Sequence, residues 1–179
     1  LVLIVAPFFA SFLLRTNAWK TILSGDGFVV NFLNSFSLLP QGRILNTSIA
    51  VIAGLVYNFL PFMILPLYTS LEKIDPRLIE AAGDLYSPPS QRFWKVVWPL
   101  SLPGVVSGTL LTFIPASGDY INAELLGSIN NKMIGNVIQS QFIDLRDYPT
   151  ASALSFTFMA IILVMIYFYI RKAGTDNLV

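Results

Sequence analysis

Leu71–Pro103 reads LEKIDPRLIEAAGDLYSPPSQRFWKVVWPLSLP and forms the polar interruption between two long apolar runs. Runs of that length enter a bilayer, so the interruption has to lie against a membrane surface. Asp75 is placed to cap a helix whose first residue is Pro76, where a missing N–H costs nothing. Leu78, Ile79, Ala82, Leu85 and Tyr86 then fall on one face at helical spacing. Pro88 and Pro89 are expected to stop that helix. A second short helix follows, with Phe93, Val96, Val97 and Leu100 on one stripe. Two short amphipathic helices at an angle, tethered at both ends by membrane segments, present a surface to something in the water.

Composition places the whole chain in the membrane class. Of 179 residues, 55% are hydrophobic and only 12% charged, whereas about a quarter are charged in soluble domains. The mean hydropathy is +0.68. A net charge of +1 argues against a nucleic-acid partner, which calls for a clustered basic face. The absence of cysteine excludes disulfides and thiolate chemistry. The absence of histidine removes the commonest general base and metal ligand, and no metal site is expected. The chain opens at Leu1 inside an apolar run, with no charged n-region and no small-residue cleavage site. It therefore reads as the later part of a longer protein, not as one led by a signal peptide.

Four spans are expected, over about residues 1–14, 44–68, 99–116 and 150–170. The first rises only ~21 Å against a hydrocarbon core of ~30 Å, which fits a truncated span; a buried helix of a soluble domain is the alternative. Arg15–Lys20 reads as its interfacial exit, with Trp19 at headgroup depth. Residues 24–42 contain the turn signal Gly25-Asp26-Gly27 and a weakly amphipathic stretch through Phe28, Phe32 and Phe36, read as a short helix along the outer surface. The second span carries no charge, and its ~37 Å rise calls for tilt or for kinks at Pro61 and Pro66. Asn58 is its one mid-span amide, which has to bond a neighbouring helix or face a polar cavity. In the third span, Gly104-x-x-x-Gly108 makes a seam where another helix can approach closely.

Residues 117–149 lie on the side opposite the 71–98 loop. Met133, Ile134, Val137, Ile138, Phe142 and Leu145 make an amphipathic stripe there, consistent with a short helix packed on the spans. Asp119 and Glu124 stand close to the membrane end with Tyr120 between them. Two carboxylates and an aromatic face suit a multivalent organic cation; an ordinary solvated acidic loop is the other reading. Lys and Arg number six on the side of the 71–98 loop (positions 73, 77, 92, 95, 171, 172) and five on the other (15, 20, 43, 132, 146). The positive-inside rule is silent on such a balance.

Glu80-Ala81-Ala82, followed at the right spacing by Val96-x-Trp98-Pro99, resembles the EAA loop of ABC-importer permeases. That signature is Glu-Ala-Ala, three residues, Gly, nine residues, then Ile-x-Leu-Pro. Here Tyr86 stands in the glycine slot and Trp98 in the leucine slot. Glycine tolerates the positive φ of a turn cheaply, and the Pro88–Pro89 pair is expected to do the turning in its place. The segments RTNAWKTIL (15–23), GLVYNFLPFMILP (54–66), LYTSLEK (67–73) and IGNVIQSQFIDLRDY (134–148) extend the similarity over nearly the whole chain, to the permease subunits of spermidine/putrescine importers.

The resemblance implies an all-α membrane protein with the type I ABC-importer permease fold: four of six transmembrane helices, a cytosolic coupling-helix loop over 71–98, and short helices at the outer surface. Two N-terminal helices would be absent from this chain. It implies that Glu80, Ala81, Ala82, Asp84, Tyr86 and Pro99 serve coupling to an ATPase. Asn58, Asp119, Tyr120 and Glu124 are the candidate substrate-pathway residues. It further implies a bacterial inner-membrane location, a second permease subunit, two cytosolic ATPase subunits that bind ATP-Mg, an extracytoplasmic substrate-binding protein and a polyamine substrate. No cofactor belongs to the chain itself. None of its five lysines follows a glycine, so the phosphate-cradling G-x-x-x-x-G-K-[ST] loop is missing. A secondary transporter would carry ionisable groups inside its spans, and an intramembrane enzyme a nucleophile–base pair at membrane depth; the complete spans hold neither. A permease for another small solute, and an assembly subunit that transports nothing, stay open.

Overall fold

The structure, a computed structural model, describes residues 2–25, 27–35 and 44–173. It is helical throughout, with no strand among the described residues. In chain order, α1 is Val2–Val5 and continues as a 3₁₀ turn, Ala6–Phe9; α2 is Phe12–Ile22, α3 Phe28–Ser35, α4 Ser48–Glu72 and α5 Pro76–Asp84. Then come α6 (Pro89–Arg92), a π turn (Phe93–Val97), α7 (Trp98–Ser117), α8 (Ile121–Leu126), α9 (Ile134–Gln139) with a π turn (Ser140–Asp144), and α10 (Tyr148–Ala173). Among the described residues three helices are long and apolar enough to cross a membrane, α4, the continuous run Pro89–Ser117 and α10, and the bent pair Val2–Phe9 with Phe12–Ile22 makes a fourth if it is one broken span. A helix does form in the stretch 24–42, as α3, while Asp26 and residues 36–43 lie outside the described residues.

Two expectations about the spans are corrected. The first apolar run is not one straight helix: the chain bends by 103° between Val2–Phe9 and Phe12–Ile22. Ala10 and Ser11 are extended, and Pro7 sits inside the preceding turn, where proline cannot sustain a regular ladder. Arg15–Lys20 therefore lies within α2. Trp19, half-buried, meets Tyr57 edge-on at 5.3 Å and packs on the core.

The second correction concerns residues 89–117. They form one helix of 29 residues, so the segment expected as a separate short helix before Pro99 is the foot of the third span. Pro99 lacks the N–H that would bond one turn back. The turn before it widens, and the Trp98 N–H reaches five residues back to the Phe93 carbonyl.

Two compact units make up the chain: Leu1–Leu60 with Ile114–Ala160, and Pro61–Phe113 with Ile161–Val179. The first has a core of Leu23, Val30, Ala50, Val51, Ala123 and Leu126. The entry to α4 is pinned there: Asn46, at φ 65°, donates its N–H to the Leu126 carbonyl at 2.9 Å, and Thr47 Oγ1 accepts from the Ala50 N–H at 3.3 Å. At the start of α10, Asp147 accepts from the Thr150 hydroxyl at 2.6 Å and from its N–H at 3.2 Å. Those two bonds hold its carboxyl below the usual carboxylate range.

In the second unit the small-residue seam of α7 is in use. A Cβ on Gly104 would stand 2.5 Å from Ser70 Cβ and 2.8 Å from the Pro66 carbonyl oxygen. One on Gly108 would stand 2.9 Å from both Sδ and the carbonyl oxygen of Met63. Helix α4 runs through Pro61 and Pro66 without a break and lies directly on those two glycines.

Candidate functional site

The segment from α5 to α6 is built by local chemistry. Asp75 caps α5, accepting from the Arg77 N–H at 2.9 Å, and Pro76 is the first helical residue. The helix ends in a Schellman motif: the Tyr86 N–H bonds the Gly83 carbonyl at 2.9 Å, and the Ser87 N–H bonds that of Ala82 at 3.2 Å. That motif requires a left-handed residue at its first position past the helix, and Tyr86 takes it at φ 56°. The turn is thus made in the glycine slot by tyrosine itself, not by the prolines. Pro88 and Pro89 instead open α6, as its cap and first residue. Arg92 braces the corner, donating Nε–H to the Ser87 carbonyl at 2.7 Å and lying against Gly83.

A left-handed non-glycine residue costs roughly 1–2 kcal/mol. Tyr86→Gly should therefore stabilise the corner by about 1 kcal/mol after the greater unfolded freedom of glycine is subtracted. Hydrogen exchange at the Tyr86 and Ser87 amides would then slow roughly fivefold; unchanged exchange would show the conformation to be unstrained.

The corner presents its apolar face outward. Leu85 and Tyr86 are 82% and 97% exposed, and Leu78, Trp94 and Trp98 are exposed as well. Glu80, Ala81 and Asp84 are also exposed, Ala82 is half-buried and Pro99 is exposed at the foot of α7. Among the described residues the Glu80 side chain makes no hydrogen bond or ion pair. An exposed apolar surface rimmed by charge is what a protein-docking site looks like.

In the first unit the candidate pathway residues part company. Asn58 is 1% exposed and donates from Nδ2 to Thr16 Oγ1 at 3.3 Å and to Asn122 Oδ1 at 3.1 Å. Asn122 in turn donates from Nδ2 to Asp119 Oδ2 at 2.6 Å and from its N–H to Asp119 Oδ1 at 3.0 Å. Thr16 closes the other end on the Phe12 carbonyl at 3.0 Å. A directed polar chain thus ties α2, α4 and α8 together, with Asn58 and Asp119 joined through Asn122. Asp119, a pure acceptor when ionised, orients the Asn122 amide, which orients that of Asn58. Asn58 Oδ1 is buried without a partner. Glu124 is exposed on α8 and stands apart from this chain; Tyr120 is exposed and gives its carbonyl to Asn136 Nδ2 at 3.0 Å.

Sequence reading did not single out Asn122 and Thr16. The signal for Asn122 was its place three residues after Asp119, the spacing at which a carboxylate receives a backbone N–H at a helix start. Nothing local marked Thr16, whose partner is 42 residues away. The close approach that joins the chain is at Gly54, where a Cβ would meet Asn122 Oδ1 at 2.7 Å and would also meet Leu126.

Residues 1–173 match the family described as binding-protein-dependent transport system inner membrane component. The spermidine/putrescine transport system permease protein PotB of Haemophilus influenzae is 44% identical over 172 residues, 96% of this chain and 60% of that protein. PotB of Escherichia coli is 41% identical over 178 residues, 99% of this chain and 65% of that protein. The inner membrane ABC transporter permease protein YdcU of Escherichia coli is 34% identical over 184 residues, 96% and 58% of the two chains. The chain thus spans about three fifths of the length of these curated relatives. With the whole described fold inside the match, the chain belongs to the binding-protein-dependent transport system inner membrane components and is a multi-pass inner-membrane protein.

Proposed function

We propose that this chain forms part of the pathway for polyamines in an ATP-driven importer and couples that pathway to a cytosolic ATPase through α5 and the corner after it. The observation that carries the coupling is the corner itself: a capped helix bearing Glu80-Ala81-Ala82, a Schellman turn in the glycine slot, and exposed Leu85 and Tyr86. The similarity to the two spermidine/putrescine permeases supports the solute.

On this reading a second permease subunit shares the pathway, and an extracytoplasmic binding protein delivers the solute. Two ATPase subunits bind ATP-Mg and close on each other. The chain contributes no nucleotide chemistry; it transmits their motion through α5, with Glu80 as a docking residue. The match to YdcU, whose name specifies no solute, is equally compatible with a second reading in which a different small solute is carried by the same machinery.

Exposed charges rarely alter stability by more than about 0.5 kcal/mol, so Glu80→Lys should leave the permease folded. Capture of the ATPase by the full-length permease should weaken roughly tenfold or more, and uptake of radiolabelled spermidine into cells should fall with it. Undiminished capture would remove the corner from the coupling interface. Capture without spermidine uptake by the unaltered complex would favour the other solute, and no ATPase partner at all would favour an assembly subunit.

A further inference from the structure

One cleft in the first unit lies beside the polar chain without belonging to it. It is about 410 Å³ in volume and opens between the segment after α7, α9 with its π turn, and α10. Three aromatic rings form its walls: Tyr120, Phe142 and Phe158. The widened turn Ser140–Asp144 carries Phe142, whose ring is held edge-on by Tyr148 at 5.1 Å. Backbone closes the floor, because Gly135 presses so near that a Cβ would stand 2.5 Å from the Gly118 carbonyl oxygen.

The polar side chains of the cleft are uncharged. Gln139 supplies an amide, its carbonyl an acceptor and its NH₂ a donor; Ser155 spends its proton on the Ala151 carbonyl at 2.9 Å, which leaves its lone pairs free. No lysine or arginine lines the cleft. Asp119, between the wall residues Gly118 and Tyr120, is 8% exposed and held by Asn122 alone, with no ion pair among the described residues. Its two oxygens face Asn122, and the side chain is not part of the cleft lining. Aromatic faces and free acceptors, with no lysine or arginine in the lining, suit an ammonium group; an anion would find no counter-charge. Ile138 and the flank of Phe158 offer apolar surface to the methylenes between ammonium groups.

We infer that this cleft binds a linear alkyl polyammonium, with an ammonium between the faces of Tyr120 and Phe142 and the methylene chain along Ile138 and Phe158. The inference rests on the polyamine reading and deepens it by locating a site for the solute. The same cleft filled by a lipid tail is the competing occupant.

The full-length permease in its assembled complex, with 4-fluorophenylalanine at position 158, tests it by ¹⁹F resonance. Spermidine should move the signal saturably, and hexanol, which has the alkyl chain without the charge, should not. Phe142→Leu and Tyr120→Leu should each raise the half-saturating spermidine concentration roughly three- to tenfold, while Tyr120→Phe, which keeps the ring face, stays within about twofold. A response equal for hexanol and spermidine overturns the site in favour of an apolar occupant. A silent probe in a complex that transports spermidine overturns the site and leaves the transport reading standing. A saturable shift in a complex that transports no spermidine keeps the site and overturns the transport reading.

Discussion

Gly104→Val should destabilise the chain by about 3 kcal/mol, at the upper end of the range for inserting atoms into a packed interior. The added Cβ would meet Ser70 Cβ at 2.5 Å, the Pro66 carbonyl oxygen at 2.8 Å and Leu67 Cα at 3.0 Å. Two of those three atoms are backbone, so no rotamer change relieves them. Either α7 moves off α4 or α4 deforms next to a proline whose ring already limits it. Midpoint unfolding temperature in detergent, followed through the tryptophans, would fall by several degrees or more. Gly25→Ala is the control, since nothing stands within 4 Å of its would-be Cβ, and should stay within about 0.5 kcal/mol. Ser70→Gly in the Gly104→Val background should recover part of the loss, because it removes one of the three obstacles. Equal stability of Gly104→Val and the parent chain would mean that the two helices do not meet at this seam.

That seam was legible because its cause is local and steric: two glycines four apart on an apolar helix have few other uses. The Asp75 cap and Pro76 were legible for a similar reason, each being a residue type matched to one backbone vacancy. What stayed hidden depended on how a backbone resolves a conflict. Pro88 and Pro89 looked like the turn because proline breaks helices, yet proline opens a helix as readily as it ends one, and here it opens α6. Tyr86 looked like a departure from a glycine slot, whereas the Schellman bonds impose the slot's geometry on whichever residue occupies it. Pro99 looked like a boundary, but a π turn absorbs its missing donor and lets 89–117 run on. At the candidate pathway, Asn58 announced that it needed a partner. Neither of its partners could be named from the sequence, because Thr16 and Asn122 lie 42 and 64 residues away.

Asp119→Ala should cost about 3 kcal/mol, and Asp119→Asn nearly as much, because the role of this carboxylate is to receive. Both of its oxygens accept from Asn122, one from the side-chain amide and one from the N–H that opens α8. Alanine leaves two buried donors without acceptors, and each such group costs roughly 1–3 kcal/mol. Asparagine restores one acceptor but turns an NH₂ toward a second NH₂. Relief then requires the Asn122 amide to flip, which faces its own NH₂ against that of Asn58. Asn58 Oδ1, buried and unpartnered, becomes usable only if the Asn58 amide flips as well, and Thr16 must follow. The disturbance therefore travels from α8 to α2, and the double variant Asp119→Asn with Asn58→Leu should cost less than the sum of the two alone. Glu124→Gln, on the exposed side of α8, should leave stability within about 0.5 kcal/mol. Spermidine uptake separates two roles for Asp119. If uptake per folded complex is normal in Asp119→Asn, the carboxylate acts by building α8; if it falls while unfolding is unchanged, the charge itself is what the solute meets.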